Sequence, residues 1–325
     1  MSTLLLTRAE IAGLMKPSDY LGAVEMAFRL SKQGQTDAPL PMAIHGVGSG
    51  AFHAKGAAML GERKLAALKL NGNFPGNPAR GLPTIQGVIL LCDAETGAVL
   101  AIMDSIEITV RRTAAASALA ARHLARRGAE TLAIVGCGAQ ARAQAEALVD
   151  VAAFKRGLAF DSDPAKATAF ALEMRDVLPF SVAPSLREAT LSADVIVTCS
   201  TARAPFLDAG DVSPGAFIAA VGADNPEKSE IAPALMARAA VVTDVLAQCL
   251  VMGDLRHAVE AGAMTADGVR AELGDLVVGA KRGRLRDDEI VIFDSTGTAI
   301  QDVASAAVVY ARACERGVGT MVELA

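Results

Sequence analysis

The chain has 325 residues and a globular composition, with 52% hydrophobic residues, 4% aromatic residues and no Trp. Its length predicts about two domains, and its net charge of −5 at pH 7 gives no indication of a nucleic-acid partner or of binding to an anionic membrane. No apolar run approaches the roughly 20 residues of a membrane helix, no signal peptide is evident, and the five scattered cysteines form no C-x-x-C pair. These features predict a reduced, cytoplasmic protein.

The first third of the chain predicts a helical segment followed by antiparallel strands. Residues 1–36 carry a rough apolar helical face, with Ser18 in the position of an N-cap. Between residues 42 and 104, β-rich runs separated by turn signals predict two hairpins. Their strands are Ala51–Met59, Lys64–Leu70, Gly87–Leu91 and Val99–Met103. The segment Asn71–Pro83 between the hairpins is rich in turn formers and predicts a loop.

The remainder of the chain alternates between helical and β-rich stretches. Thr109 is predicted to cap an alanine-rich helix, Val110–Arg127, that joins the two domains. The β-rich runs that follow are separated mostly by helical stretches, which is typical of a doubly wound parallel sheet. The predicted strands are Leu132–Val135, Gly157–Phe160, Phe180–Val182, Val195–Cys199, Phe217–Val221, Ala240–Thr243 and Ile290–Phe293. The predicted fold class is therefore α/β, ending in a C-terminal helix.

A glycine turn between a strand and a helix gives the strongest functional signal. The stretch T-L-A-I-V-G-C-G-A-Q-A leads from an apolar run through Gly136 and Gly138 to Ala141, where alanine replaces the third glycine of a G-x-G-x-x-G pattern. The first glycine permits the tight turn, and the second lets the backbone approach a dinucleotide pyrophosphate at the helix N-terminus. An ordinary strand–helix turn remains the alternative, because the glycine pattern alone is a weak signal.

An acidic residue follows the next β-rich run. Asp161 comes 23 residues after Gly138, close to the spacing expected for the carboxylate that binds the ribose hydroxyls of NAD. A carboxylate there also repels the 2′-phosphate of NADP, so the sequence predicts NAD as the cofactor. Thr198 and Ser200 end a later strand and are expected to line the same cofactor site, although simple strand-end packing would also explain them.

Two cationic residues are candidates for binding a carboxylate. Lys69 ends a predicted strand beside the turn-rich loop, where it would either bind an anion, relay a proton or simply face solvent. Arg112 falls in the first turn of the predicted alanine-rich helix, where a cation opposes the helix dipole, so helix stability does not explain it. An exposed arginine is the alternative. His53 and Lys55 share one strand face, which points either to the site or to solvent.

Asp224 is the candidate acid or base. It follows the predicted strand Phe217–Val221, and the carboxyl ends of parallel strands are where open α/β sheets bind ligands. Its setting, D-N-P, is equally typical of a structural turn. The four histidines show no metal-ligand spacing, and no H-E-x-x-H, nucleophile elbow or P-loop lysine motif is present. No metal is expected.

Together, these stretches resemble the ornithine cyclodeaminase/μ-crystallin family. The resemblance covers nearly the whole chain, in order. The segments that carry it are K-L-N-G-N-F-P-G-N (69–77), G-L-P-T-I-Q-G (81–87), M-D-S-x-E-I-T-V-R-R-T-A-A-A-S (103–117), G-C-G-A-Q-A (136–141), V-G-A-D-N-P-E-K-S-E (221–230) and F-D-S-T-G (293–297). It implies a Rossmann NAD-binding domain at 113–298 and a discontinuous α+β domain, built from 1–112 and 299–325, that binds substrate and pairs two subunits into a homodimer.

The resemblance also implies roles for individual residues. Lys69 and Arg112 would bind the substrate carboxylate, and Asp224 would be the catalytic acid/base, with Lys69 as a second catalytic group. The cofactor would be bound by Gly136, Gly138, Ala139, Gln140, Asp161, Thr198, Ser200, Thr113, Val221 and Gly297. One departure concerns the early prolines, where family members often carry an arginine and this chain has Met42 or a neighbour. Lys55 or His53 would then compensate.

The expected activity is NAD-dependent oxidation or reduction at the Cα–N bond of a small amino acid or its imine. Two alternatives stay open. The first is ornithine cyclodeamination, in which NAD is recycled and proline and ammonia are released. The second is a non-catalytic NAD(P)-binding protein like the lens crystallins. The apolar residues Met42 and Ile44 are expected to line the site and to favour a small aliphatic side chain over a long cationic one.

Overall fold

The computed structural model of the protein describes residues 2–48 and 50–324. The chain divides into two compact units, one of Met1–Arg112 with Thr298–Ala325 and one of Thr113–Gly297. The first division falls inside a long helix, after Arg112. No helix among the described residues is long and apolar enough to cross a membrane.

The N-terminal part of the first unit begins with a strand, not with the predicted helix. Its elements are β1 (Ser2–Leu6), α1 (Arg8–Ala12), α2 (Pro17–Lys32), β2 (Thr36–Asp37), β3 (Met42–His45), β4 (Ala51–Leu60), β5 (Lys64–Asn73), β6 (Ile85–Asp93), β7 (Val99–Asp104) and α3 (Ser105–Leu124), the last of which continues into the second unit. The predicted cap at Ser18 is wrong, because α2 is preceded by Lys16 and has Pro17 at its first position, where a missing N–H costs nothing.

The second unit contains a parallel sheet. Its elements after α3 are β8 (Thr131–Val135), α4 (Ala141–Val149), β9 (Arg156–Phe160), α5 (Pro164–Glu173), β10 (Phe180–Val182), α6 (Leu186–Leu191), β11 (Val195–Thr198), β12 (Phe217–Ala220), α7 (Pro233–Arg238), β13 (Ala240–Thr243), α8 (Leu246–Cys249), α9 (Asp254–Glu260), β14 (Ala271–Glu272), α10 (Leu273–Val277) and β15 (Val291–Asp294). Every residue of β8, β11, β12 and β15 is buried, as expected of strands covered on both faces.

The order of these strands is that of a doubly wound sheet. It runs β10-β9-β8-β11-β12-β15-β13-β14, and all the pairings are parallel. The direction of winding reverses between β8 and β11, and the crevice at such a reversal is the usual ligand site of open α/β sheets. The predicted Rossmann-type α/β fold is confirmed.

The C-terminal segment returns to the first unit as α11 (Ala299–Arg316) and β16 (Thr320–Glu323), a strand that the sequence did not predict. The sheet of this unit has the order β16-β1-β7-β6-β5-β4-β2, with β3 also paired to β4. Among the described strands of this sheet, only β1 and β7 pair in parallel. Helix α11 packs against β4 and β5 and also against α2, which buries one face of the sheet.

Two predicted boundaries near the candidate residues are wrong. Strand β5 continues to Asn73, so the start of the predicted loop at Asn71–Pro83 belongs to the strand. Helix α3 begins at Ser105 and not after Thr109, because Asp104 accepts the N–H groups of the first turn, from Ile106 at 2.9 Å. Arg112 is therefore well inside the helix, and the argument from an opposed helix dipole does not apply to it.

Candidate functional site

Lys69 lies on the covered face of the first unit's sheet. Along β5 the residues Leu65, Ala67 and Lys69 alternate onto the buried side, because successive strand residues point to opposite faces. Only 4% of Lys69 is exposed, so the alternative of a solvated surface lysine is wrong. Its Nζ lies 2.7 Å from Oδ2 of Asp302, on the first turn of α11, which is equally buried.

Arg112 meets the same carboxylate from α3. Its Nε donates to Oδ1 of Asp302 at 2.9 Å, and its Nη1 donates to Oε1 of Gln301 at 3.1 Å. The other end of the Gln301 amide, Nε2, is buried and has no hydrogen-bond partner among the described residues. One carboxylate thus holds a lysine and an arginine, and a donor is left beside them, which is an arrangement suited to a second, incoming carboxylate.

The electrostatics of this cluster favour proton transfer by Lys69. Burial and then the nearby Arg112 guanidinium lower the pKa of Lys69 from 10.5 to about 7, against the opposing effect of Asp302. Burial would raise the pKa of Asp302, but the charges of Arg112 and Lys69 outweigh it and lower that pKa. Asp302 therefore stays ionised, while Lys69 can exchange a proton near neutral pH.

The β-sheet register determines which other side chains share the face of Lys69. Lys55 is directly opposite Lys69 in the pairing of β4 with β5, and its charge acts on both Lys69 and Asp302. His53 is two residues before Lys55 on the same face. In the β3–β4 pairing Met42 lies opposite Ala54, which puts Met42 on the other face of the sheet.

The expectation that Met42 and Ile44 line the site is therefore wrong. Ile44 lies opposite Phe52, so it too is on the face away from Lys69, and both residues are about half exposed. The strand β3 brings His45 and Ala43 to the Lys69 face instead. Lys69, Lys55 and His53 thus share this face of the sheet, and Met42 and Ile44 do not.

In the second unit the glycine turn lies at the reversal of winding. Gly136 has φ of 93°, a conformation that favours glycine, and a Cβ at this position would meet the backbone of Cys199 and Ser200 at 3.0 Å. Gly138 has open space where its Cβ would be. The turn after β8 is therefore packed against the end of β11 on one side and open on the other, and the N-terminus of α4 follows it.

Asp161 stands beside this turn. It directly follows β9, its Oδ2 accepts the N–H of Cys137 at 2.8 Å, and its Oδ1 accepts the N–H of Asp163 at 2.9 Å. The carboxylate predicted to bind ribose is thus within hydrogen-bonding distance of the turn predicted to bind pyrophosphate. Cys137 is itself an unreactive thiol, because burial and then Asp161 raise its pKa to about 12.

The other proposed cofactor residues mostly end or follow strands at the same edge of this sheet. Thr198 ends β11, Val221 follows β12 and donates to Thr198 O at 2.8 Å, and Gly297 follows β15. Thr113 is the exception, since it lies in α3. The residues at the edge are Gly136, Gly138, Ala139, Gln140, Asp161, Thr198, Ser200, Val221 and Gly297.

Asp224 lies on the loop after β12, as the sequence predicted. Its side chain is 53% exposed, and its Oδ1 accepts from Nζ of Lys228 at 2.7 Å. An ion pair between partly exposed side chains stabilises a protein by about 1 kcal/mol or less. The structure leaves Asp224 accessible to a reactant.

Four buried carboxylates lie along the same edge of the second sheet, and each accepts backbone N–H groups. Asp244 accepts from Thr296 and Gly297, and Asp294 accepts from residues 254 and 255. Asp254 in turn accepts from residues 230 and 231, and Glu230 from residues 200 and 222. The loops that surround the candidate cofactor site are thereby tied to one another by hydrogen bonds from main chain to carboxylate.

Sequence reasoning missed Asp302, Gln301 and Glu230. The signal for Asp302 and Gln301 was a polar pair in the first half of α11, where residues 299–306 are all buried and the others, except Ser305, are apolar. The described residues contain no group of three or more His, Cys, Asp or Glu side chains that could hold a metal ion.

Comparisons with known proteins agree along the whole chain. The model of the ornithine cyclodeaminase/mu-crystallin family matches residues 1–317. An alanine dehydrogenase from Archaeoglobus fulgidus is 38% identical over 324 residues, 99% of each chain. Among solved structures, an archaeal alanine dehydrogenase dimer with bound NAD has a TM-score of 0.95 and 37% identity, covering 100% of both chains. The Δ1-pyrroline-2-carboxylate reductase of Thermococcus litoralis, in complex with NADH and L-proline, has a TM-score of 0.94 and 32% identity, covering 98% of this chain and 99% of that one.

Proposed function

The chain belongs to the ornithine cyclodeaminase/mu-crystallin family, and we propose that it is an NAD-dependent oxidoreductase acting at the Cα–N bond of a small amino acid or its imine. The observation that carries the proposal is the buried cluster of Lys69, Arg112 and Asp302. It combines a carboxylate-binding site with a lysine that titrates near neutral pH, and an amino-acid dehydrogenase needs both functions.

The first unit would recognise the substrate's α-carboxylate. Arg112 is held by Asp302 and Gln301 and keeps further donors, since a guanidinium carries five N–H groups. The unpartnered Nε2 of Gln301 adds another donor. Lys55 and His53 lie on the same face as Lys69 and would supply the cationic group that the chain lacks at Met42.

Lys69 would move the proton that accompanies oxidation of the amine. In the oxidative direction its neutral form accepts a proton from the substrate nitrogen, and in the reductive direction its charged form donates one to the imine. A pKa of about 7 suits both directions, because each form is then well populated at neutral pH.

The residues of the second unit fit NAD. The tight turn at Gly136, the open space at Gly138 and the adjacent Asp161 carboxylate form a strand–turn–helix site with an anion-binding N-terminus and a ribose acceptor. When bound, NAD takes up or returns the hydride at the substrate Cα. Asp161 disfavours the 2′-phosphate of NADP by charge repulsion.

Asp224 would act as the second acid/base group of the site. After oxidation, a carboxylate that is half exposed can activate the water that attacks the iminium carbon, which releases ammonia and a 2-oxo acid. Its contact with Lys228, at 2.7 Å, orients the side chain.

We further propose that the protein is a cytoplasmic homodimer. The sheet face opposite Lys69 exposes a set of large apolar side chains, and a patch of this kind marks an interface. These side chains are Met42, Ile44, Phe52, Leu68, Leu70 and Val88. A matching solved structure is described as a dimer, and the chain's cysteines are free thiols, as in reducing compartments.

The test is a turnover screen of the purified protein. Amino acids with NAD, and 2-oxo acids with NADH and ammonium, should change NADH absorbance in proportion to turnover. Ornithine with substoichiometric NAD is the decisive arm for the alternative activity, because many turnovers of proline and ammonia without net NADH would make the protein a cyclodeaminase. No turnover of any amino acid or imine, despite NADH binding, would make it a non-catalytic binding protein.

A further inference from the structure

The carboxylate of Glu230 joins two loops of the second unit. Its Oε1 accepts the N–H of Ser200, which follows β11, at 2.7 Å, and its Oε2 accepts the N–H of Gly222, which follows β12, at 2.8 Å. Strands β11 and β12 are neighbours in the parallel sheet, so the two loops leave the same edge side by side. A single fully buried side chain therefore determines the spacing between them.

The backbone of Glu230 is itself fixed. Its N–H donates to Oδ1 of Asp254 at 2.8 Å, and its carbonyl accepts the N–H groups of Phe206 and Leu207, both at 3.0 Å. The carboxylate also fits against bare backbone, because a Cβ on Gly222 would collide with it. Bonds on every side leave Glu230 little freedom, so it can transmit a fixed geometry to the loops.

An acid at this position is buried at a cost. Burial and then the nearby Asp254 raise the pKa of Glu230 to about 7, so the surroundings disfavour the ionised form of the side chain. An apolar side chain would avoid that cost but would leave the N–H groups of Ser200 and Gly222 without their acceptor. The two loops that the carboxylate joins carry Ser200, a proposed cofactor residue, and Asp224, two residues after Gly222.

We propose that Glu230 is a positioning residue, which holds the loop of Asp224 in register with the loop of Ser200 so that catalytic group and cofactor stay aligned. The roles of Asp224 and Ser200 rest on the function proposed above. The hydrogen bonds by which Glu230 joins the loops do not rest on that function, so the positioning role and the proposed function can fail separately.

The experiment compares Glu230→Gln with the control Glu227→Gln in the full-length protein. The amide of the first variant keeps one acceptor and turns an NH₂ group towards a backbone N–H, so one loop is released. Glu227 lies on the same loop, but its side chain is 68% exposed. We expect Glu230→Gln to lower kcat by about 10- to 100-fold, since a misplacement of about 1 Å can cost that much, and to raise the Kd for NADH several-fold. The control should stay within about two-fold of wild type in both quantities.

Two further measurements separate positioning from a general structural role. If Glu230 acts through Asp224, adding Glu230→Gln to Asp224→Asn should lower kcat little beyond the single Asp224 variant, because the two effects are coupled. Amide exchange should quicken in the released loop, around residue 200 or residue 222, while the strands keep their protection. In Gly222→Ala the added Cβ displaces the carboxylate of Glu230, so this variant should reproduce these effects. It serves as the test if Glu230→Gln does not fold.

The inference is overturned by a Glu230→Gln protein with wild-type kcat, NADH affinity and loop exchange. A lower melting temperature with unchanged kinetics, or fully additive losses in the double variant, would also overturn it. If the wild-type protein turns over no substrate, the proposed function fails, and NADH affinity and amide exchange still decide the role of Glu230.

Discussion

The buried cluster predicts that kcat/KM changes with pH as Lys69 titrates. At pH 8 a lysine with the ordinary pKa of 10.5 is about 0.3% neutral, whereas one with a pKa of about 7 is about 90% neutral, a gain of roughly 300-fold in free base. We expect kcat/KM for amine oxidation to rise with pH up to about 7 and then to level off. Lys69→Met should lower kcat/KM by about 10²- to 10⁴-fold and remove this break.

The assay measures kcat/KM between pH 5.5 and 10 with the best substrate of the screen, for wild type and for Lys69→Met. At each pH the wild-type value is divided by the value of the variant. The ratio cancels the substrate's own ionisation, which affects both proteins equally. Lys64→Gln is the matched control, because Lys64 is on the same strand but exposed and paired with Glu95. A ratio that is flat between pH 6 and 8, or that breaks near 10, would show that Lys69 is not the titrating group.

The lowered pKa of Lys69 also makes the free energy of unfolding depend on pH. The pKa of Lys69 is lower in the folded than in the unfolded protein, so the unfolded chain binds more protons between about pH 7 and 10.5. The contribution of Lys69 to stability is therefore least favourable below pH 7 and improves as the pH rises through that window. Lys69→Met should remove this slope from the free energy of unfolding, measured by urea denaturation.

Four further predictions follow from the structure. Asp302→Asn leaves the buried Arg112 and Lys69 without their carboxylate and should cost about 3–5 kcal/mol of unfolding free energy, against at most about 1 kcal/mol for the exposed Glu95→Gln, both by urea denaturation. Asp224→Asn should lower kcat by about 10²- to 10⁴-fold with an unchanged melting temperature; unfolding of the variant would make Asp224 a turn residue. Wild type should prefer NAD to NADP by roughly 10- to 100-fold in catalytic efficiency, and Asp161→Ala should narrow that ratio. Leu68→Glu should shift the light-scattering mass from dimer to monomer, since it charges the exposed apolar face.

The parts of the fold with strong local signals could be predicted from the sequence. The strands of the second sheet are short apolar runs between helical stretches, so the alternation itself indicated a doubly wound sheet. The strand β1 was missed because five residues, S-T-L-L-L, carry no periodicity that separates strand from helix. The start of α3 was missed because its cap is Asp104, a residue that also ends β7 and is paired with Arg8.

The candidate site was predictable only where its residues are local. The glycine turn and Asp161 are separated by a fixed strand–helix–strand interval, so their proximity follows from the motif. Asp302 is 190 residues from Arg112 in the sequence, and only the return of α11 to the first unit brings them together. The placement of Met42 failed for a related reason, because the face on which a strand residue lies depends on a pairing register that the sequence did not define.

In the proposed function the first unit carries the substrate residues and the second unit carries the cofactor residues and Asp224. A buried lysine–carboxylate–arginine cluster needs rigid supports, and β5, α3 and α11 supply them from segments that are distant in the chain. The cofactor and Asp224 instead depend on loops, which are mobile unless they are tied down. The buried carboxylates at the edge of the second sheet provide those ties, since each one replaces water as the acceptor of main-chain N–H groups. Burial of these carboxylates lowers stability, but their hydrogen bonds hold the loops in one defined geometry, which the proposed roles of the cofactor residues and Asp224 require.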